Sequence, residues 1–267
     1  MNFLEVVFLG VVQGATEFLP ISSSGHLVLL PALLRIPIPN LAFTMGLHVG
    51  TLLAVLIYFW NDLKGILKGI FSFYKKDKSE EGKYYLNLFI LIVVATIPAG
   101  IVGFLFADKV DLLFYSPRTV SYLFFITAAF LFLASYLAKK ANKSIQNMTL
   151  KDAIIVGIFQ VIALLPGVSR SGTTITGGIV SSVNKEESSR FSFLLSIPVI
   201  AGAALLELVK ADFSIFTPTE LLVGIVVSFI SGLIALKIFF PIIKKTSFYT
   251  FAVYCVIIGL IGIIFTK

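Results

Sequence analysis

Two short stretches hold most of the residues able to do chemistry in an otherwise apolar chain. The first reads GVVQGATEFLPISSSG, Gly10 to Gly25, and is followed by His26. The second reads GIFQVIALLPGVSRSG, Gly157 to Gly172. Each closes on a Ser-x-Ser-Gly turn before a new apolar run, Leu27–Leu34 in one and Ile175–Val180 in the other. Such a turn reads as the cap of a short helix. A helix N-terminus offers free N–H groups and the positive end of the dipole, which together bind anions. On this reading Ser22, Ser24, Gly25, Ser169, Ser171 and Gly172 line an anion cradle, and Arg170 adds the planar fork of donors that suits phosphate. The plainer reading of the serines is capping alone.

Charges inside the apolar stretches narrow the chemistry. Arg170 sits within one of them, where a charge is costly and is functional or paired. Glu17 lies four residues after Gln13, so both face one side of a helix. A buried carboxylate needs a partner or a cation, so Glu17 reads as a metal ligand, a general acid or base, or a static partner of Arg170. His26 follows the serine turn directly and reads as a residue that orients or activates Ser23, or as a nucleophile or acid itself. His48, in LHVGT, lies early in an apolar run, where capping or lining a cavity is as good a reading as chemistry. Glu5, Arg35 and Glu207 sit near the ends of apolar runs and read as interfacial. No phosphate-binding Gly-x-x-x-x-Gly-Lys loop and no His-Glu-x-x-His pair occurs.

The elements that must position these residues are membrane helices. The 267 residues are 58% hydrophobic and only 13% charged, with a mean hydropathy of +1.00. A soluble domain of this length needs more charge to cover its surface. The one cysteine, Cys255, excludes an internal disulfide framework. The N-terminus lacks the pattern of a cleaved signal peptide, since it carries Glu5 and runs into a Pro/Ser/Gly segment. A membrane-crossing helix needs about 20 apolar residues. Six runs meet or approach that: Phe43–Trp60, Leu86–Ala107, Thr119–Ala138, Phe191–Val209, Leu221–Ile243 and Phe248–Phe265. Lys237 and Pro241 interrupt the fifth. The segments Phe3–Leu34 and Ala153–Val183 are apolar but broken by Pro, Gly and Ser.

The net charge of +7 sits between the spans rather than in a nucleic-acid-binding patch. Loops 61–85, 139–152 and 244–245 hold 12 basic residues: Lys64, Lys68, Lys75, Lys76, Lys78, Lys83, Lys139, Lys140, Lys143, Lys151, Lys244 and Lys245. The opposite loops, 108–118 and 210–220, hold 3: Lys109, Arg118 and Lys210. The first set is therefore cytoplasmic. One broken segment then enters from outside and the other from inside. The two align at a constant offset of 147, pairing Gly10 with Gly157, Gln13 with Gln160, Ser22 with Ser169, Ser24 with Ser171 and Gly25 with Gly172. The expectation is an all-α integral membrane protein. It is a polytopic helical bundle in a single domain, with two inverted-topology repeats near residues 1–110 and 150–267. Each repeat carries a re-entrant helical hairpin, and the binding site lies where the hairpins meet.

QGATE (Gln13–Glu17), FLPISSSGH (Phe18–His26), PGVSRSG (Pro166–Gly172) and FLLSIPVIAGA (Phe193–Ala203) together resemble the undecaprenyl-pyrophosphate phosphatase, or bacitracin-resistance, family of bacteria. The resemblance runs over the whole chain. It implies a multi-pass enzyme of the bacterial plasma membrane. The enzyme removes the terminal phosphate of undecaprenyl diphosphate and so returns the lipid carrier to cell-wall synthesis. Glu17, Ser23, His26 and Arg170 fall on the family's catalytic motifs, with Gln13 and the flanking serines and glycines on the substrate. The family's divalent cation, Mg2+ or Ca2+, falls to Glu17 and Gln13, where this chain has Gln at a motif position that also accepts Glu. Expected partners are a polyprenyl diphosphate and membrane lipid, with no nucleic acid; a homodimer is left open. Ser23 and His26 both stand as the attacking group. A second reading is a transporter that moves a lipid phosphate between leaflets.

Overall fold

A computed structural model describes residues 1–74, 79–114, 116–210 and 217–266. Lys75, Lys76 and Lys78, and the side chains of Glu207 and Lys210, lie outside the described residues. Among the described residues the chain is helical, with no strand. In order the helices are α1 (Phe3–Glu17), α2 (Ser23–Leu34), α3 (Leu41–Tyr58), α4 (Trp60–Tyr74), α5 (Glu80–Leu113), α6 (Pro117–Leu137), α7 (Leu150–Ile162), α8 (Arg170–Val180), α9 (Lys185–Lys210), α10 (Pro218–Lys245) and α11 (Phe248–Phe265). Six of them, α3, α5, α6, α9, α10 and α11, are long and apolar enough to cross a membrane. They coincide with the six runs expected from the sequence. Lys237 and Pro241 do not end α10, which continues to Lys245.

The broken segments are helix–turn–helix pairs, α1–α2 and α7–α8. α1 opens on a capping box between Asn2 and Glu5, and α7 on the equivalent box between Thr149 and Asp152. Glu5, expected at an interface, is thus a helix-start residue. Arg35 closes α2 in the left-handed conformation. α2 and α8 each start on a serine whose hydroxyl accepts from the third N–H of its helix.

One expectation is corrected. Residues 61–85 are not simply a loop: most of them belong to α4 and to the first turn of α5. Ile66 and Ile70 recur at helical spacing, each two residues after a lysine, Lys64 and Lys68, and that period outweighs the charge. Gly65 and Gly69 let α4 approach α5 closely, since a Cβ on Gly69 would stand 2.7 Å from the backbone nitrogen of Leu86.

Small residues set the packing elsewhere too, as expected where burial from water cannot drive helices together. α1 and α3 both pack on α10. A Cβ on Gly14 would stand 2.6 Å from the Gly232 nitrogen, and one on Gly50 2.4 Å from the Ile225 carbonyl. This close approach fixes where the C-terminal end of α1, with Gln13 and Glu17, is held. Phenylalanines fill the interior beside it. Phe18 meets Phe193 of α9 edge-on at 5.6 Å, and Phe193 meets Phe239 of α10 at 5.0 Å.

Candidate functional site

Glu17 is the last residue of α1 and is buried. Its two carboxylate oxygens are held from different parts of the chain. Oε1 accepts from Nη2 of Arg170 at 2.7 Å. Oε2 accepts from Ser23 Oγ at 2.6 Å and from Gln13 Nε2 at 3.0 Å. His48 Nε2 lies 3.6 Å from the same Oε2. Gln13, Glu17, Ser23 and Arg170 thus form one connected group.

The backbone explains the convergence. After α1 the chain turns through Phe18–Ser22, and Ser22 adopts a left-handed φ of 68°. A side chain in that region of backbone space is held there at a cost of about 1–3 kcal/mol. The turn presents Ser23 at the first position of α2, six residues from Glu17 in sequence. The second turn uses Gly167 at φ 99° to place Arg170 at the first position of α8. The turns touch: Ser171 Oγ donates to the Leu19 carbonyl at 3.2 Å. A Cβ on Gly25 would lie 3.0 Å from the Cα of Gly167. Thr127 of α6 pins the second turn from outside. Its hydroxyl donates to the Gly167 carbonyl and accepts from the Ser169 N–H, both at 2.9 Å.

The serines divide into two kinds. Ser22 and Ser169 are caps, their hydroxyls accepting from Gly25 N–H at 3.2 Å and Gly172 N–H at 3.0 Å. Each also lies beside the second serine of its motif, Ser22 by Ser24 at 3.4 Å and Ser169 by Ser171 at 3.2 Å. The capping reading is therefore realised. It does not remove the anion cradle, because the first two N–H groups of each short helix, from Ser23 and Ser24 and from Arg170 and Ser171, have no partner within the helix.

His26 is buried, and its two ring nitrogens pair with groups other than the Ser23 hydroxyl. Its Nδ1–H donates to the Ser22 carbonyl at 2.7 Å, and Nε2 pairs with the Tyr254 hydroxyl of α11 at 2.7 Å. Its ring stacks on Tyr254 and stands edge-on to Phe124. Arg170 also donates from Nη1 to the Ser192 carbonyl at 3.2 Å. Its ion pair with Glu17, the static alternative drawn from the sequence, is present. A guanidinium carries five N–H donors, so this pairing leaves donors for a phosphate.

A divalent cation fits one feature of the site. Gln13 is fully buried, and its Oε1 has no hydrogen-bond partner. That carbonyl oxygen, on the amide that donates to Glu17, is of the type that oxygen-ligated cations use. Among the described residues no group of three or more His, Cys, Asp and Glu surrounds it. The protein's ligands are therefore few, and substrate oxygens must complete any shell.

Sequence reasoning grouped Gln13, Glu17, Ser23, His26 and Arg170; the structure joins all but His26, whose ring nitrogens pair with the Ser22 carbonyl and Tyr254. It missed Tyr254, Thr127 and Ser192, since a hydroxyl or a carbonyl in an apolar helix carries no signal until the helices are packed.

The family model described as "Bacitracin resistance protein BacA" matches residues 6–261. Undecaprenyl-diphosphatase 1 of Shouchella clausii is 39% identical over 269 residues, covering 99% of this chain and 97% of that protein. Undecaprenyl-diphosphatase of Halothermothrix orenii is 41% identical over 267 residues, covering 99% and 98%. The Bacteroides fragilis protein of the same name is 39% identical over 273 residues, covering 100% and 99%.

Proposed function

The chain belongs to the bacitracin resistance protein BacA family, and from that membership we infer that it hydrolyses undecaprenyl diphosphate to undecaprenyl phosphate and inorganic phosphate. It does so as a multi-pass protein of the bacterial plasma membrane. Its product re-enters cell-wall synthesis, and the activity confers bacitracin resistance. The observation that carries the site assignment is the meeting of two turns, 147 residues apart, on the two oxygens of Glu17.

The diphosphate binds across the free N–H groups of α2 and α8 and the remaining donors of Arg170. Phosphoryl transfer asks mainly for positioning and charge stabilisation, which these groups supply. Ser23 Oγ attacks the terminal phosphorus, and its proton passes to Glu17 Oε2, already 2.6 Å away. The bond to the bridging oxygen breaks, and undecaprenyl phosphate leaves as an anion. Water then attacks the phosphoserine. The phosphorus–Oγ bond breaks, Ser23 Oγ takes back the proton from Glu17, and phosphate departs carrying both protons of the water, as dihydrogen phosphate. His26 holds the first turn through the Ser22 carbonyl. The involvement of both its ring nitrogens favours Ser23 as nucleophile. A divalent cation held by Gln13 Oε1 and Glu17 would neutralise diphosphate charge.

The inverted repeat has support in the packing. In chain order α1, α2, α3, α5 and α6 correspond to α7, α8, α9, α10 and α11, with α4 unmatched. α1 packs on α10 as α7 packs on α5, α3 on α10 as α9 on α5, and α2 on α11 as α8 on α6. α3 meets its counterpart α9, and α6 meets α11. These are the exchanges a two-fold axis makes. This correspondence carries the first repeat to the end of α6, past the boundary near residue 110.

The test is phosphate release from undecaprenyl diphosphate by purified protein with a divalent ion. Arg170→Ala is expected to lose about 10³–10⁵ in rate, by analogy with other phosphate-clamping arginines. Glu17→Gln is the second variant, because Glu17→Ala would leave Arg170 buried without its anion. Wild-type turnover in Arg170→Ala would overturn the cradle. Leaflet exchange of the lipid in vesicles without phosphate release would support the transport reading instead.

A further inference from the structure

We propose that His48 is a ligand of the divalent cation, giving the site a nitrogen donor. The inference rests on the reading that Gln13 and Glu17 bind that cation. His48 lies in α3 with its side chain 14% exposed. Its Nδ1 is 2.8 Å from the Thr44 carbonyl one turn earlier. A carbonyl only accepts, so Nδ1 carries the hydrogen and donates. The lone pair of a neutral imidazole is then on Nε2, the atom that faces Glu17 Oε2 at 3.6 Å. A histidine that ligates a metal almost always has its other nitrogen anchored in this way.

The gap itself is informative. At 3.6 Å the two atoms are too far apart for a hydrogen bond. With a neutral imidazole the lone pair and the carboxylate oxygen repel, whereas a protonated one forms an ion pair with Glu17. Two bonds of about 2.1 Å to one shared cation span that distance without moving either group. The unpartnered Gln13 Oε1 belongs to the amide whose nitrogen touches the same Oε2. Arg170 is bound to the opposite oxygen, and on this one a cation would take the place of the Gln13 amide hydrogen. An imidazole, an amide oxygen and one carboxylate suit Mn2+, Co2+ or Zn2+ better than an all-oxygen shell does, and suit Mg2+ and Ca2+ less.

Electron spin echo spectroscopy of the full-length protein loaded with Mn2+ and inorganic pyrophosphate reads the ligand directly. The chain has two histidines, and His26 has both nitrogens engaged within the protein. An imidazole ¹⁴N coupling is expected in the wild type, replaced by ¹⁵N lines on histidine labelling. It should vanish in His48→Gln and persist in His26→Gln. The preference for Mn2+ over Mg2+, measured by competition, should fall about tenfold in His48→Gln. Bound Mn2+ without histidine coupling in the wild type would overturn the His48 ligand and leave the Gln13–Glu17 site standing. No Mn2+ signal beyond that of Glu17→Gln would overturn both. The wild-type spectrum decides between these outcomes whether or not a variant folds.

Discussion

Glu17 divides its carboxylate between two helix starts, and that division makes a chemical prediction. Oε1 is committed to Arg170, and Oε2 is the atom that Ser23 Oγ already donates to, placed to take its proton. Ser23→Ala is expected to lose activity by about 10³-fold or more, as removal of a nucleophile does elsewhere. Label trapped from a ³²P-diphosphate substrate should be acid-stable and absent from this variant. Acid-labile label on His26 would assign the attack to histidine. Glu17 and Arg170 were legible in the sequence because a charge inside an apolar helix is expensive wherever its partner is. Ser23 was legible because it stands in a turn that a spanning helix does not contain. His48 was not, because its meaning depends on the register of α3 against α1. The same period that marks both helices as apolar leaves that register unspecified.

At the scale of the element, the site depends on how closely α1 lies against α10. A Cβ on Gly14 would come within 2.0 Å of Ser231 Oγ and 2.6 Å of the Gly232 nitrogen. The backbone cannot rotate away, so α1 must shift as a body. Gln13 is adjacent to Gly14, and Glu17 is less than one turn beyond it. Gly14→Leu should therefore lower the turnover number about 10²-fold, the usual cost of roughly 1 Å of misplacement. It should also lower the melting temperature in detergent. Gly100→Leu is the control: nothing lies within 4 Å of its Cβ position, so activity should stay near wild type. Equal losses in both variants would mean that α1–α10 packing has no special hold on the site. The sequence revealed the spans well, since their hydropathy is local information. It hid α4, whose lysines mask an apolar face that only the approach of Gly65 and Gly69 to α5 makes use of.

At the scale of the whole molecule, the two proposed repeats match in helix order and in which helices meet, and differ in chemistry. The offset of 147 that aligns the serines also places Ser23 opposite Arg170, Glu17 opposite Leu164 and His48 opposite Leu195. One repeat supplies Glu17, the proposed nucleophile Ser23 and the proposed cation ligands, and the other supplies the arginine. Gln13 and Gln160 keep the older likeness: both are buried, and both have an amide oxygen without a partner. The proposed inverted repeat requires that the two turns enter the membrane with opposite orientation. That requirement, more than the loop charges, makes the inverted arrangement testable. The single Cys255 is buried in α11 and replaceable by Ala, which gives a cysteine-free background. Cysteines at Ser79 and at Asn142 are expected to react with a membrane-impermeant maleimide only from the cytoplasmic side, and a cysteine at Thr217 only from outside. Outside labelling at Ser79 or Asn142 would reverse the assigned orientation. Labelling of those two positions from opposite sides would break the alternation of the spans, and with it the proposal that the turns enter the membrane from opposite faces.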